Sequence, residues 1–143
     1  MSVLPLQIFS TAQGQVLPCD KLMKLAKGVY RGERIPNSKG VNLICCSDYR
    51  IRKLNRDYRH KDKCTDVLSF PFSDGDFLGE VYISHRRAEV QARRFGFTFE
   101  EEFLRLFLHG LLHLAGYDHL VAHEREEMEM LECKYLKKLF ITL

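Results

Sequence analysis

The segment from Phe103 to Gly116 constrains the fold more than any other, because its residues are apolar on almost every side of a helix. A helix that is apolar all round has to lie inside a protein or a membrane. The segment is too short to span a bilayer, and Arg105 and two histidines interrupt it. Thr98 and Glu101 form a T-x-x-E capping box before it, and Gly116 permits a sharp turn after it. We therefore expect this helix to be buried.

Apolar runs bounded by turn residues predict four strands, and apolar positions at helical spacing predict five helices. The predicted order is β-α-β-α-β-β-α-α-α, and Pro5 confines the first strand to an edge of its sheet. We expect residues 1–143 to form a single domain of the α+β class, with a small mixed sheet of about four strands and about five surrounding helices. The strands are expected at Val3–Phe9, Val41–Cys46, VLSFPF and FLGEVYIS, and the helices at KLMKLAKGVY, Tyr49–Tyr58, HRRAEVQARRFG, the apolar segment and Val121–Phe140.

The charge and the cysteines exclude several classes of protein. A net charge of +3 at pH 7 is a weak indication of an anionic partner. The five cysteines are odd in number and include no C-x-x-C pair, which argues against a disulfide framework and against a cysteine-bound zinc site. No secretory signal and no membrane span are visible. We expect a soluble, cytoplasmic protein without a membrane partner.

Three histidines lie on the apolar segment and on the turn that follows it, with the spacing H-x3-H-x5-H. His109 and His113 are four residues apart, so they share one face of a helix. A turn at Gly116 would bring His119 back toward the same point. Three imidazoles with an open fourth position are the ligands of a catalytic zinc ion, and we expect one Zn²⁺ per chain. The alternative is three separate core or capping histidines, but buried imidazoles without partners would be costly.

The frame H-x-x-x-H-x-x-G-x-x-H is also that of the metzincin proteases, in which a glutamate follows the first histidine as general base. Gly110 occupies that position here and has no side chain to accept a proton. The sequence therefore keeps the metal frame without the protease base. Peptide hydrolysis by the metzincin route is disfavoured, although a bound zinc ion can lower the pKa of its water to about 7 unaided.

A basic arm, which we define as residues Arg50 to Lys63, holds seven Lys or Arg and two Asp. The last predicted helix is acidic, so charge is separated along the chain. This distribution is typical of proteins that bind nucleic acid. Tyr49 and Tyr58 lie within or next to the arm and could stack on bases. The alternative is a solvated basic helix face that binds nothing.

The segments LNRDYRHKDKCTDVLSFPF and HGLLHLAGYDH resemble the YbeY family over the whole chain. The resemblance implies a metal-dependent endoribonuclease that prefers single-stranded RNA and acts in ribosomal RNA maturation and ribosome quality control, with the small ribosomal subunit as a possible partner. It implies the same three histidines as metal ligands and Arg59 as a catalytic and substrate-binding residue. Arg56 and Lys61, in the same arm, are expected to bind substrate with it. Cys64 departs from the family, which usually has proline there, and raises the question of an extra thiolate near the site.

Two other functions stay open at this point. The first is a ribosome-assembly or RNA-binding factor in which the metal is mainly structural, and the absence of a glutamate base favours it. The second is a zinc peptidase, which Gly110 argues against. A structural zinc site is normally closed by four protein ligands, so an open position facing a cleft would favour the hydrolase.

Overall fold

Four strands form one mixed sheet in the computed structural model, which describes residues 4–11, 16–72, 75–117 and 122–141, except for the side chains at 140 and 141. The predicted order of strands and helices is confirmed. The strands are β1 (Leu6–Ser10), β2 (Gly40–Cys46), β3 (Val67–Pro71) and β4 (Phe77–Ser84). The helices are α1 (Cys19–Gly32), α2 (Asp48–Arg59), α3 (His85–Phe95), α4 (Phe99–Leu114) and α5 (Ala122–Ile141).

The strand order across the sheet is β1-β2-β4-β3. β2 pairs in parallel with both β1 and β4, whereas β3 and β4 form the predicted antiparallel hairpin. β1 lies at one edge, as Pro5 predicted, but it begins at Leu6 and therefore after the proline, which cannot donate to a ladder. β3 forms the other edge, and its outer side faces the site described below.

The apolar helix α4 is buried, as predicted, and lies at the centre of the main core. Its side chains Phe103, Phe107, Leu108 and Leu111 are fully buried among α1, α5 and the sheet. Each such side chain stabilises the fold by roughly 1.5–3 kcal/mol relative to an exposed one. Arg105, which interrupts the apolar pattern, forms a bidentate pair with the buried Glu102 at 2.8 and 2.7 Å.

Both ends of α4 follow the local signals in the sequence. The Glu101 backbone N–H donates to the Thr98 hydroxyl at 3.1 Å, and the Thr98 N–H donates to the Glu101 carboxylate at 2.8 Å, which is the predicted capping box. After Leu114 the chain turns at Gly116, whose φ of +112° is a conformation that residues with a Cβ avoid. The helix that carries His109 and His113 is thus fixed at each end.

The opposite face of the sheet is covered mainly by α2. A second, smaller core lies there, with Ile44, Cys46, Ile51, Leu68 and Tyr82 as its buried members. α2 covers only part of this face, and aromatic side chains of β3 and β4 remain partly exposed beside it. Within the part of the chain that the structure describes, no helix has the length and apolar character needed to cross a bilayer.

Candidate active site

A cleft with a volume of about 410 Å³ lies along the outer edge of β3, between the end of α2 and the middle of α4. We call it the histidine cleft. His109 and His113 line it from α4, and Arg59 lines it from α2. The loop between α2 and β3 completes the wall with Lys61, Lys63, Thr65 and Asp66. The structure therefore brings two of the predicted metal ligands and the predicted catalytic arginine to one cavity.

The two histidine rings of α4 are neighbours, with their centroids 4.9 Å apart. The Nδ1 atom of His109 lies 2.6 Å from the Glu132 carboxylate on α5, and both side chains are largely buried. A carboxylate on one nitrogen of a metal-binding histidine fixes its tautomer and orients the other nitrogen toward the metal. With the proton on Nδ1, Nε2 is the atom of His109 that would bind a metal.

The third predicted ligand, His119, lies outside the described residues. Among the residues that are described, no group of three His, Cys, Asp or Glu is arranged to hold a metal ion. The donor chemistry of His109 and His113 nevertheless fits zinc, because imidazole is one of its common ligands and His109 has the carboxylate partner that such ligands usually have.

Arg59 is the last residue of α2, not a loop residue as the sequence suggested. Its Nη2 donates to the backbone oxygen of Ser69 on β3 at 2.8 Å. The hydroxyl of Ser69 in turn donates to the backbone oxygen of Gly110 on α4 at 3.1 Å. The arginine is therefore attached to the strand that also contacts the histidine helix, which fixes its position relative to the opposite wall of the cleft.

The chain reverses directly after Arg59 because His60 adopts the left-handed conformation, with a φ of +58°. The backbone N–H of Lys61 donates to the backbone oxygen of Asn55 at 3.2 Å, and the side-chain amide of Asn55 donates to the backbone oxygen of Lys63 at 3.0 Å. These bonds hold the loop so that Lys61 and Lys63 reach the cleft. Lys63 was not singled out from the sequence, and only the fold of this loop distinguishes it from the other basic residues.

The rest of the basic arm is distributed differently. Arg56, which we expected to bind substrate, is not among the residues that line the cleft, and it pairs with Asp57 at 3.4 Å on the exposed side of α2. Arg52 pairs with Asp62 at 2.8 Å, also in solvent. Tyr58 lies next to Arg59, whereas Tyr49, at the other end of α2, lines a different cleft near the start of α3. The structure thus concentrates the site at the C-terminal end of α2.

Close packing of α4 against the sheet leaves no room for a side chain at position 110. A Cβ at this position would lie 2.7 Å from Cγ1 of Val81, 3.1 Å from Oγ of Ser69 and 3.3 Å from Cγ2 of Val67. The first distance is far inside ordinary van der Waals contact. Position 110 faces the sheet, not the histidine cleft, so a glutamate there would clash with β3 and β4. The missing protease base is therefore a consequence of how tightly α4 lies on the sheet.

Cys64 does not line the histidine cleft. Its thiol donates to the Asp48 carboxylate at 3.3 Å and packs against the smaller core. Burial, followed by the nearby Asp48 carboxylate, raises the pKa of the Cys64 thiol, which keeps it protonated. Because the thiol packs against the smaller core and lies outside the histidine cleft, it is not placed to be an extra metal ligand.

Glu33, at the end of α1, is hydrogen bonded to Tyr117 in the turn after α4. The Tyr117 hydroxyl donates to one oxygen of this carboxylate at 2.7 Å, and the Tyr135 hydroxyl of α5 donates to the other at 2.6 Å. The hydrogen bond to Glu33 raises the pKa of Tyr117 to about 12. Burial, with the same carboxylate, raises the pKa of Tyr135 further. These bonds connect the turn after α4 to two other helices.

Comparisons with known proteins show which proteins this chain is similar to. The profile of a family described as Endoribonuclease YbeY matches residues 9–140. A protein of that name from Solibacter usitatus is 53% identical over 107 residues, which cover 75% of this chain and 71% of that protein. One from Ureaplasma urealyticum is 49% identical over 96 residues, covering 64% of this chain and 62% of the relative, which is less than two thirds of its length. One from Chlorobaculum tepidum is 36% identical over 95% of this chain and 98% of its own.

The fold also matches a solved structure. The solution structure of a protein from Thermotoga maritima superposes with a TM-score of 0.65 at 34% identity, covering 94% of this chain and 89% of that one. The mixed sheet and the helices around it are therefore the fold of a known structure.

Proposed function

Because the chain belongs to the YbeY endoribonuclease family, we propose that it is a metal-dependent endoribonuclease that cuts single-stranded RNA. The observation that carries the proposal is that Arg59, His109 and His113 line one cleft although they come from different elements. Metal ligands and a guanidinium on facing walls can act on one phosphodiester.

The metal is proposed to be one Zn²⁺ per chain, held by His109, His113 and His119. When bound, such an ion lowers the pKa of a water molecule to about 7 and polarises a phosphoryl oxygen. Glu132 holds the His109 ring in the orientation and tautomer that a ligand needs. Since Gly110 leaves no general base on this turn of α4, the chemistry depends on the metal and on positive charge in the cleft.

Arg59 is proposed to stabilise the charge that develops on the phosphate. A guanidinium has five N–H donors in a planar fork, one of which goes to Ser69 and fixes the group. The fork can bind two phosphate oxygens at once, with better geometry than a lysine ammonium. Lys61 and Lys63 line the same cleft and add the positive charge that attracts an RNA backbone.

We propose ribosomal RNA as the substrate, in maturation and quality control of ribosomes, with the small ribosomal subunit as a partner. The family membership supports this, together with the basic residues concentrated at the cleft. The competing function is an assembly factor with a structural metal, which a closed site with four protein ligands would favour. A zinc peptidase is disfavoured by the packing of Gly110 against the sheet.

The test is metal analysis combined with RNA cleavage, on protein purified without a histidine tag. His113→Ala should lose the bound metal and the cleavage of a short single-stranded RNA, because it removes one of three ligands. His85→Ala is the matched control, since His85 lies at the start of α3 outside the histidine cleft. Metal retained in full by His113→Ala would eliminate the proposed site, and cleavage without metal would eliminate the proposed chemistry.

A further inference from the structure

A second cleft, with a volume of about 370 Å³, lies on the partly covered face of the sheet, next to the end of α2. We call it the aromatic shelf. The aromatic residues that line it are Tyr58, Phe70, Phe72 and Tyr82, and Glu80 is its acidic residue. None of these side chains has a role in the proposed metal chemistry. An aromatic surface next to the proposed site of RNA cleavage is a candidate binding surface for part of the RNA.

The rings of the shelf are arranged around Phe70. Tyr58 and Tyr82 each meet Phe70 edge-on, with centroids 5.8 Å away in both pairs. Tyr82 is buried and forms part of the floor, whereas Tyr58 is 68% exposed and Phe72 is 45% exposed. Guanidinium groups accompany the rings, because Arg59 lies 5.6 Å from the Phe70 centroid and Arg50 lies 5.9 Å from that of Tyr82. The cations therefore lie against the less exposed rings, Phe70 and Tyr82, whereas Tyr58 and Phe72 present their rings to solvent. Exposed aromatic rings in a surface that also carries positive charge are features of sites on which single-stranded nucleic acids stack.

Arg59 joins the shelf to the histidine cleft. It lines the cleft, donates to Ser69 on the strand between the two cavities, and lies over the Phe70 ring of the shelf. An RNA strand whose phosphate contacts Arg59 in the histidine cleft would therefore have a neighbouring nucleotide close to the rings of the shelf. We propose that the aromatic shelf binds a base of the RNA strand that is cut in the histidine cleft. This proposal rests on the proposed function and adds a base-binding subsite to it.

Glu80 determines which part of a nucleotide can enter the shelf. Its carboxylate accepts from the Tyr82 hydroxyl at 3.1 Å and from the Asn42 amide at 3.5 Å. A carboxylate repels phosphate, so the shelf is suited to a base and not to the RNA backbone. A carboxylate has about four acceptor positions, and it pairs with the exocyclic amino group of cytosine, which uracil lacks. The shelf should therefore prefer cytosine to uracil.

The test is the binding of fluorescent oligocytidine and oligouridine of equal length, measured by anisotropy at one salt concentration with a chelator present so that no strand is cut. Tyr58→Ala should weaken binding of oligocytidine roughly 5- to 150-fold, which is the range for the loss of one stacked base. Tyr58→Phe keeps the ring and should bind like the parent. Tyr49→Ala is the matched control, because it removes the same ring from the other end of the same helix, in a different cleft.

Two further measurements separate the shelf from the metal site. The parent should bind oligocytidine at least about 5-fold more tightly than oligouridine, and Glu80→Gln should remove most of that preference. Cleavage with metal restored is measured for the same variants. Equal binding by Tyr58→Ala and the parent, with cleavage intact, would overturn the shelf and leave the proposed function standing. If the parent cuts no RNA with metal restored, and Tyr58→Ala still weakens the binding of oligocytidine, the aromatic shelf is supported and the proposed nuclease activity is overturned.

Discussion

Replacing Gly110 by alanine places one methyl group between α4 and the sheet. Its carbon would lie 2.7 Å from Cγ1 of Val81, where two carbon atoms ordinarily approach to about 3.5–4.0 Å. Val81 is fully buried in a central strand and is branched at Cβ, so its side chain has little freedom to move away. The helix would have to rise from the sheet, and His109 and His113 would move with it.

The magnitude follows from a comparison with Gly28→Ala in α1. A Cβ at Gly28 would meet only Tyr135, at 4.0 Å, which is ordinary contact. Both substitutions gain about 1 kcal/mol of helix propensity, so this contribution cancels between them. Only Gly110→Ala adds the cost of overpacking, about 1–3 kcal/mol. We therefore expect Gly28→Ala to stabilise the protein by up to about 1 kcal/mol, and Gly110→Ala to be about 1–3 kcal/mol less stable than Gly28→Ala.

The assay is urea unfolding of the parent and the two variants with metal chelated, because bound metal would add stability by mass action. If the slope of the free energy of unfolding against urea concentration is the same for all three proteins, a shift of the midpoint reports a change in the free energy of unfolding. Equal free energies of unfolding for Gly28→Ala and Gly110→Ala would refute the packing argument. The absence of a glutamate at position 110 would then need another explanation.

Two further predictions concern carboxylates that the sequence did not single out. Glu132→Gln should weaken metal binding about 10- to 100-fold, because the bond that orients His109 loses its charge, and competition with a coloured chelator measures this; unchanged affinity would mean that the ring needs no such partner. The second prediction concerns Glu33, whose hydrogen bond raises the pKa of Tyr117 to about 12 in the folded state, against about 10 in the unfolded state. The stabilisation that corresponds to this shift is fully present below about pH 10 and is lost as the pH rises from about 10 to about 12. Glu33→Gln should flatten this alkaline loss of stability in urea midpoints, and an equally steep loss would contradict the role given to Glu33.

The central helix could be predicted because its signals are local. An apolar pattern, a T-x-x-E box and a glycine each act within a few residues of where they occur, and the structure has each of them where the sequence placed it. The edge position of β1 followed in the same way from Pro5, since a missing N–H excludes a central strand.

The partners within the site could not be predicted because they depend on packing between distant segments. Glu132 is one of several glutamates on α5, and nothing in the sequence shows which of them contacts His109 on the neighbouring helix α4. The end of α2 was expected at about Tyr58 and lies one residue later, at Arg59. The residue after it, His60, takes the left-handed conformation that glycine or asparagine usually signals, so the sequence does not mark the exact end of the helix.

The most direct test of the site as a whole is single-turnover cleavage of a short single-stranded RNA by Arg59→Lys, with binding measured separately at the same salt concentration. Lysine keeps the charge but loses the planar fork, so binding should change little while the cleavage rate falls by the equivalent of about 2–4 kcal/mol. Arg52→Lys is the control, since Arg52 lies on the same helix, paired with Asp62 in solvent. A large loss of rate for Arg59→Lys alone is the result that we predict. Equal cleavage rates for Arg59→Lys and the parent would contradict the proposal that the arginine and the histidines act on one phosphate.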